Sequence, residues 1–184
     1  MSDAKLKRDR PSREEHYFNR AKTAAERSTC LRRKIGVVII DSDGVERSSG
    51  YVGSPRGTKH CTEIGKCLRM ELGIESGQRY ELCRSVHAEQ NAIINAARVG
   101  VSIIDGEMYI SSERIKGAYR DDRQGNDGIY GPCIICKKEI INAGIMNVHM
   151  REEGIGEKTF TITEINNMLT REEEEWRKMN ERTE

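Results

Sequence analysis

Aromatic side chains are scarce in this sequence, 5% of 184 residues with a single tryptophan. Excess charge of either sign is scarcer still: 31 Lys and Arg stand against 30 Asp and Glu, a formal net charge of +1. The balance leaves no strong field to gather a long polyanion, and few rings are available to stack on unpaired bases. No run approaches the roughly eighteen apolar residues of a membrane span. The opening MSDAKLKRDRPSREE lacks the apolar segment of a secretory signal, so a cytoplasmic protein is expected. No internal repeat is visible. What is present is enough for one compact domain, with 36% hydrophobic residues. In a reducing compartment the six cysteines read as metal ligands or free thiols rather than disulfides.

Residues 1–11 are charged, lack apolar periodicity and read as a mobile tail. Ser12 with Glu15 forms a capping box, and Tyr17, Phe18, Ala21, Ala24, Ala25 and Leu31 recur at helical spacing, predicting a helix from about Arg13 to Arg33. The β-branched run Ile35 to Ile40, the turn Asp41-Ser42-Asp43-Gly44 and the loose alternation from Val45 to Val52 predict a hairpin. Residues 53–85 are aperiodic and too long for an ordinary connection, which suggests a functional loop or a small metal-pinned unit. Ala88 to Val99 reads as a helix closed by Gly100, Glu107 to Ser111 as a strand, Cys133 to Ala143 as a helix and Met146 to Met150 as a strand. Phe160 and Ile162 add an edge strand, and Thr163 caps a last helix running through 163–184. The order predicts an α/β fold with parallel crossovers, its main domain spanning 12–162.

Two segments carry chemistry. His87-Ala88-Glu89 opens one helix, and Pro132-Cys133-Ile134-Ile135-Cys136 opens another. In an α/β sheet, helix starts gather at one edge, so the two segments can meet. Cys133 and Cys136 project from one face of a helix whose N-terminus favours thiolates. With His87 they make three ligands, which leaves one tetrahedral position of a zinc ion open for water, as in catalytic sites. Glu89, two residues beyond a ligand, is placed to carry the protons of a hydrolysis. A lone CxxC could be redox or structural and a lone HxE only a histidine near a charge. Together they form the signature of zinc deaminases.

At these residues the sequence resembles the cytidine and deoxycytidylate deaminase superfamily, and within it the deoxycytidylate deaminases of microbial and viral type. RSTCLRRKIGVVII, GYVGSPRG, KHCTEIGKCLR, ELCRSVHAEQNAI and GPCIICKKEIINAGI look like that family's blocks and cover most of Arg13 to Met150. The resemblance implies a three-layer α/β/α fold with a central mixed sheet, zinc on His87, Cys133 and Cys136, and Glu89 as proton shuttle. It implies hydrolysis of dCMP to dUMP and ammonia for thymidylate synthesis, a homo-oligomer, and dCTP and dTTP as effectors. Two departures stand out. The family's GYNG, whose Asn meets the sugar, is here Gly50-Tyr51-Val52-Gly53, and Val52 has no hydrogen-bonding side chain. The polar segment 113–130, with Arg114, Lys116, Arg120 and Arg123, is longer than usual and reads equally as a lid or phosphate-contacting loop over the site or as a solvated insertion.

Some members of the family hold a second, structural zinc, and Cys30, Cys61, Cys67 and Cys83 are the matching candidates here. His60 could replace one of them, or some could be ordinary buried thiols, and Lys66 interrupts the expected Ile-Gly-Cys. His16 and His149 read as a helix-surface and a strand-end residue. For a mononucleotide phosphate the nearby cations are Arg56, Lys59, Arg69, Arg79 and Arg84, with no spacing rule to select among them. Competing readings are a deaminase of another cytosine nucleotide or nucleoside, one acting on a base in tRNA or single-stranded DNA, and a zinc-stabilised regulatory module without turnover. Scarce aromatics and balanced charge favour the small nucleotide, and Glu89 speaks against a purely structural site.

Overall fold

The computed structural model describes residues 9–74, 77–115 and 131–181. The expected tail at 1–11 and the segment 113–130 therefore lie largely outside the described residues. Helix α1 (Arg13–Ala25) begins as its capping box predicts: the Ser12 hydroxyl accepts the Glu15 amide at 3.0 Å. It stops at Ala25 rather than Arg33. Beyond it Ser28 donates to the Ile35 carbonyl at 3.2 Å and accepts the Ile35 amide at 3.1 Å, and the Thr29 amide donates to the Val52 carbonyl at 3.1 Å. These bonds draw the chain into a return segment along the sheet, the usual way serine and threonine compete with a helix.

Strands β1 (Arg33–Ile40), β2 (Glu46–Tyr51), β3 (Glu107–Arg114), β4 (Asn147–Glu152) and β5 (Gly156–Thr161) form one sheet in the order β2-β1-β3-β4-β5. Among hydrogen-bonded neighbours only β3 and β4 pair parallel, but β2 and β3 both run antiparallel to β1, so β2, β3 and β4 share one direction. The chain passes from β2 to β3 and from β3 to β4 by the parallel crossovers expected. Strand alternation sorts the core into two faces. Val38, Ile40 and Tyr109 pack on Tyr17, Phe18 and Ala21 of α1. Val37, Ile39, Met108, Ile110 and Val148 face the other way, onto helices α4 (Ala88–Val99) and α5 (Ile134–Asn142). Helices on both faces of a mixed sheet give the three layers expected.

The described residues of the loop 53–85 carry short local structure. Two single-turn helices, α2 (Cys61–Ile64) and α3 (Leu68–Glu71), and a 3₁₀ turn at Tyr80–Leu82 lie within it. Its ends are joined by a bridge in which Gly53 and Val86 exchange amide bonds of 3.2 and 2.8 Å. Helix α6 (Ile162–Glu181) closes the described chain. Its cap is Thr161, not Thr163: the Thr161 hydroxyl accepts the Glu164 amide at 3.2 Å. Among the described residues no helix is long and apolar enough to cross a membrane.

Candidate active site

Strand directions bring the functional segments to one edge of the sheet. Gly36 of β1 pairs with Tyr51 of β2, Arg33 with Arg114 of β3, and Ser112 with Glu152 of β4. That edge therefore carries the start of β1 and the ends of the other three strands. His87 caps α4 there and Cys133 caps α5. Gly50 lets α4 lie close on β2, because a Cβ at that position would collide with the backbone of Ala88 and Ala92. Hydrogen bonds from Asn91 Nδ2 to the Tyr51 carbonyl (2.8 Å) and from Ser48 Oγ to the Ala92 carbonyl (2.6 Å) hold the helix at this depth.

The three sequence-predicted ligands converge. His87 Nδ1 lies 3.3 Å from Cys136 Sγ and 3.3 Å from Cys133 Sγ. Among the described residues this is the one group of three or more metal-binding side chains whose ligand atoms all fall within 4.8 Å of one another. A tetrahedral zinc with ordinary bond lengths needs nitrogen–sulfur edges of about 3.6 Å, so the cluster fits the ion after a shift of a few tenths of an ångström. Its electrostatics fit a cation too. Burial alone would lower the His87 pKa, but Cys133 and the Glu89 carboxylate outweigh it and raise it. The Cys136 thiol, hydrogen-bonded to Cys133, holds the Cys133 thiol well below the usual range despite burial. Glu89 is buried beside the cluster, and burial, reinforced by Cys133, pushes its carboxyl up while His87 opposes.

Residues that the motifs did not single out support the cluster. Gln90 accepts the His87 amide through Oε1 (3.0 Å) and donates through Nε2 to Glu139 Oε1 (2.8 Å), joining α4 to α5. The ring of Tyr80 meets the His87 imidazole edge-on with centroids 5.0 Å apart. Lys137 is buried beside Cys136 and ion-pairs with Glu172. Gln90 and Lys137 adjoin motif residues in the sequence, which is the only signal that pointed to them. Tyr80 had none.

A cavity of about 920 Å³ opens over the cluster and is bordered by His87, Glu89 and Cys133. Val52 borders it too, while buried in the core. Of the five cations proposed for a phosphate, Arg69 and Arg84 line this cavity and Arg56, Lys59 and Arg79 do not. Arg56 bonds Asn95 and Arg79 pairs with Glu81 on the exterior. Arg114, expected within a lid or phosphate-contacting loop, lines it as well, and so do Arg32 and Arg33, which had not been singled out for phosphate. The four further cysteines, Cys30, Cys61, Cys67 and Cys83, also border the cavity, but no three of them bring ligand atoms within 4.8 Å. Cys30, Cys67 and Cys83 are close enough to act electrostatically on Cys61, whose thiol is pushed up chiefly by burial. His60 is half-buried, 3.8 Å from Glu63. His16 is exposed, as expected. His149 lies in β4 and stacks on Tyr109 with centroids 4.3 Å apart.

A layered α/β fold that gathers His87, Cys133 and Cys136 beside a buried glutamate, all four close to one cavity, defines a zinc-binding site of the three-ligand kind. The chain belongs to the family described as the cytidine and deoxycytidylate deaminase zinc-binding region, whose model matches residues 11–152. Deoxycytidylate deaminase of Schizosaccharomyces pombe is 31% identical over 145 residues, 77% of this chain and 37% of that protein. Deoxycytidylate deaminase of Mycobacterium phage D29 is 29% identical over 143 residues, 76% of this chain and 94% of that protein. This chain therefore spans little more than a third of the yeast relative and nearly all of the phage one. Among solved structures, the dCMP deaminase from the cyanophage S-TIM5 in complex with dCMP and dUMP shares the fold, with a TM-score of 0.56 at 24% identity over 89% of this chain and 94% of that one.

Proposed function

We propose that the protein hydrolyses dCMP to dUMP and ammonia, supplying precursor for thymidylate synthesis. The observation that carries this reading is the buried Glu89 carboxylate, raised in pKa, beside a three-ligand zinc site that opens into a nucleotide-sized cavity. Bound by His87, Cys133 and Cys136, zinc supplies the means to activate water at neutral pH. Glu89 takes one proton from the attacking water and gives it to the ring nitrogen as the oxygen bonds to the amine-bearing carbon. It then carries the remaining proton of that oxygen to the amine as the C–N bond breaks, leaving a carbonyl and ammonia. A carboxyl pushed up toward neutrality is suited to both transfers. Arg69 and Arg84 supply cationic lining for the phosphate, and Val52 stands where a sugar contact is expected.

On this reading residues 12–162 form the deaminase domain and 163–184 an appended helix, in a cytoplasmic homo-oligomer with dCTP and dTTP as effectors. The supporting facts are the family match over 11–152 and a helix that begins at Ile162. Ammonia release measured across dCMP, CMP, deoxycytidine, dCTP and an adenosine-containing tRNA tests the assignment. Turnover highest on dCMP is expected. A protein that holds zinc, leaves dCMP untouched and turns over another of these substrates overturns it.

A further inference from the structure

Helix α6 lies beyond the family-matched segment, yet it grips the turn bearing both cysteines, and it does so at both ends. On one side is Gly131, two residues before Cys133. Its backbone is left-handed (φ +81°), and a Cβ there would sit 3.0 Å from the Met168 methyl and 3.4 Å from the Phe160 ring. On the other side is Lys137, immediately after Cys136. Its side chain is only 2% exposed, and its ammonium pairs with Glu172 of α6. The amide of Lys137 in turn donates to the Cys133 carbonyl at 2.9 Å, so the residue held by α6 also closes the first turn of the ligand helix. Ile165, fully buried, roots α6 in the core beside Ile140 and Ile145 of the same crossover.

We infer that α6 is a positioning element for the metal turn, with Met168 and Glu172 as the positioning residues that fix Cys133 and Cys136 relative to His87. This rests on the reading of those three residues as zinc ligands. Anchoring alone does not explain the arrangement. A buried ion pair stabilises little once desolvation is counted, and an apolar pair of similar volume would hold α6 to α5 at least as well. What an ion pair adds is a directional requirement that apolar contact lacks. Lys137 meets Glu172 in the arrangement of α5 that places Cys136 Sγ 3.3 Å from His87 Nδ1. Outer contacts that orient ligands in this way typically change metal affinity or activity about 10–100-fold when they are removed.

The test uses the full-length zinc-loaded protein with Glu172→Gln, Lys137→Met and the apolar double variant Lys137→Met/Glu172→Leu. The readouts are zinc release to a chromophoric chelator, the thiolate-to-metal and d–d absorption bands of the cobalt-substituted protein, thermal midpoint, and kcat and KM for dCMP. Expected are zinc release faster by about 10–100-fold and displaced cobalt bands in both single variants. A lower kcat at little-changed KM should accompany them. The double variant should recover the thermal midpoint but not slow zinc release. If it folds and releases zinc at the wild-type rate with wild-type cobalt bands, α6 only anchors, and the inference is overturned; this holds even if a single variant fails to fold. Zinc release and cobalt bands need no substrate, so a wild-type protein that holds zinc without acting on dCMP would defeat the proposed function and leave this inference standing.

Discussion

Gln90 holds the two ligand helices together: its Nε2 donates to Glu139 Oε1 on α5 at 2.8 Å while its Oε1 accepts the amide of His87 at 3.0 Å. One uncharged side chain thus bridges the segment bearing His87 and the helix bearing the cysteine pair. Gln90→Leu removes both bonds and leaves the half-buried Glu139 oxygen without a donor. The expected cost is about 1–3 kcal/mol of stability, with zinc affinity lowered about 10–100-fold. Urea unfolding and chelator titration measure the two separately. Unchanged zinc affinity would show that the helices are positioned by packing alone.

Glu89→Gln keeps the size of the side chain and removes the proton carrier without touching His87, Cys133 or Cys136. Zinc content should remain at the wild-type count while deamination falls by about 10²–10⁴-fold, the usual worth of a positioned acid–base group. Metal analysis and ammonia release are the paired measurements. A count of two in both proteins would place the second ion among Cys30, Cys61, Cys67 and Cys83.

Why the sequence revealed so much of this site follows from where the information lies. His87, Glu89, Cys133 and Cys136 sit at helix starts, where local capping and spacing fix each side chain's direction, so motif and geometry coincide. The α4 helix was legible to its ends because Gly100 supplies the left-handed cap (φ 69°). What stayed hidden depends on contacts between distant segments. The end of α1 was misplaced because Ser28 bonds to Ile35 of a strand rather than to its own helix. Tyr80 against His87 and Glu172 against Lys137 join residues with no shared periodicity. Cys30 and the three cysteines of the long loop matched a ligand set in composition, but spacing over tens of residues does not fix where thiols point.

On the sheet face opposite the site, His149 is wedged against Tyr109, with Nε2 3.2 Å from Glu107 Oε2 and Nδ1 2.9 Å from the Thr159 hydroxyl. Burial lowers its pKa; Glu107 and Glu14 oppose, and Arg13 adds to the lowering. A histidine whose folded pKa is depressed takes up its proton first in the unfolded chain. Its contribution is intact above the unfolded value of about 6.5 and is lost as pH falls from there through the lower folded value. His149→Phe, which preserves the stacking, should therefore lose less stability than the wild type between about pH 7.5 and about pH 5.5. Urea midpoints at the two pH values decide this, and equal losses in both proteins would remove His149 as the source.

Val52 stands at the point where the core and the cavity meet. It is 6% exposed, its amide donates to the Ile35 carbonyl at 3.0 Å, and its carbonyl accepts the Thr29 amide at 3.1 Å. The backbone is thus fixed by its neighbours, and a substitution changes only what the side chain presents. Val52→Asn offers the substrate sugar a hydrogen bond that valine cannot make. A bond of ordinary strength contributes about 0.5–1.5 kcal/mol, equivalent to a few-fold to tenfold gain in kcat/KM for dCMP. Without substrate the same amide is buried among Val37, Ala88 and Ala92 of one apolar cluster, where an unpaired polar group costs about 1–3 kcal/mol. The variant is therefore expected to be less stable than the wild type when empty and more active on dCMP. Thermal midpoints with and without dUMP, alongside kcat/KM for dCMP and CMP, measure both halves. An unchanged or lower kcat/KM for dCMP would mean that another residue already makes the sugar contact and that Val52 serves the core alone.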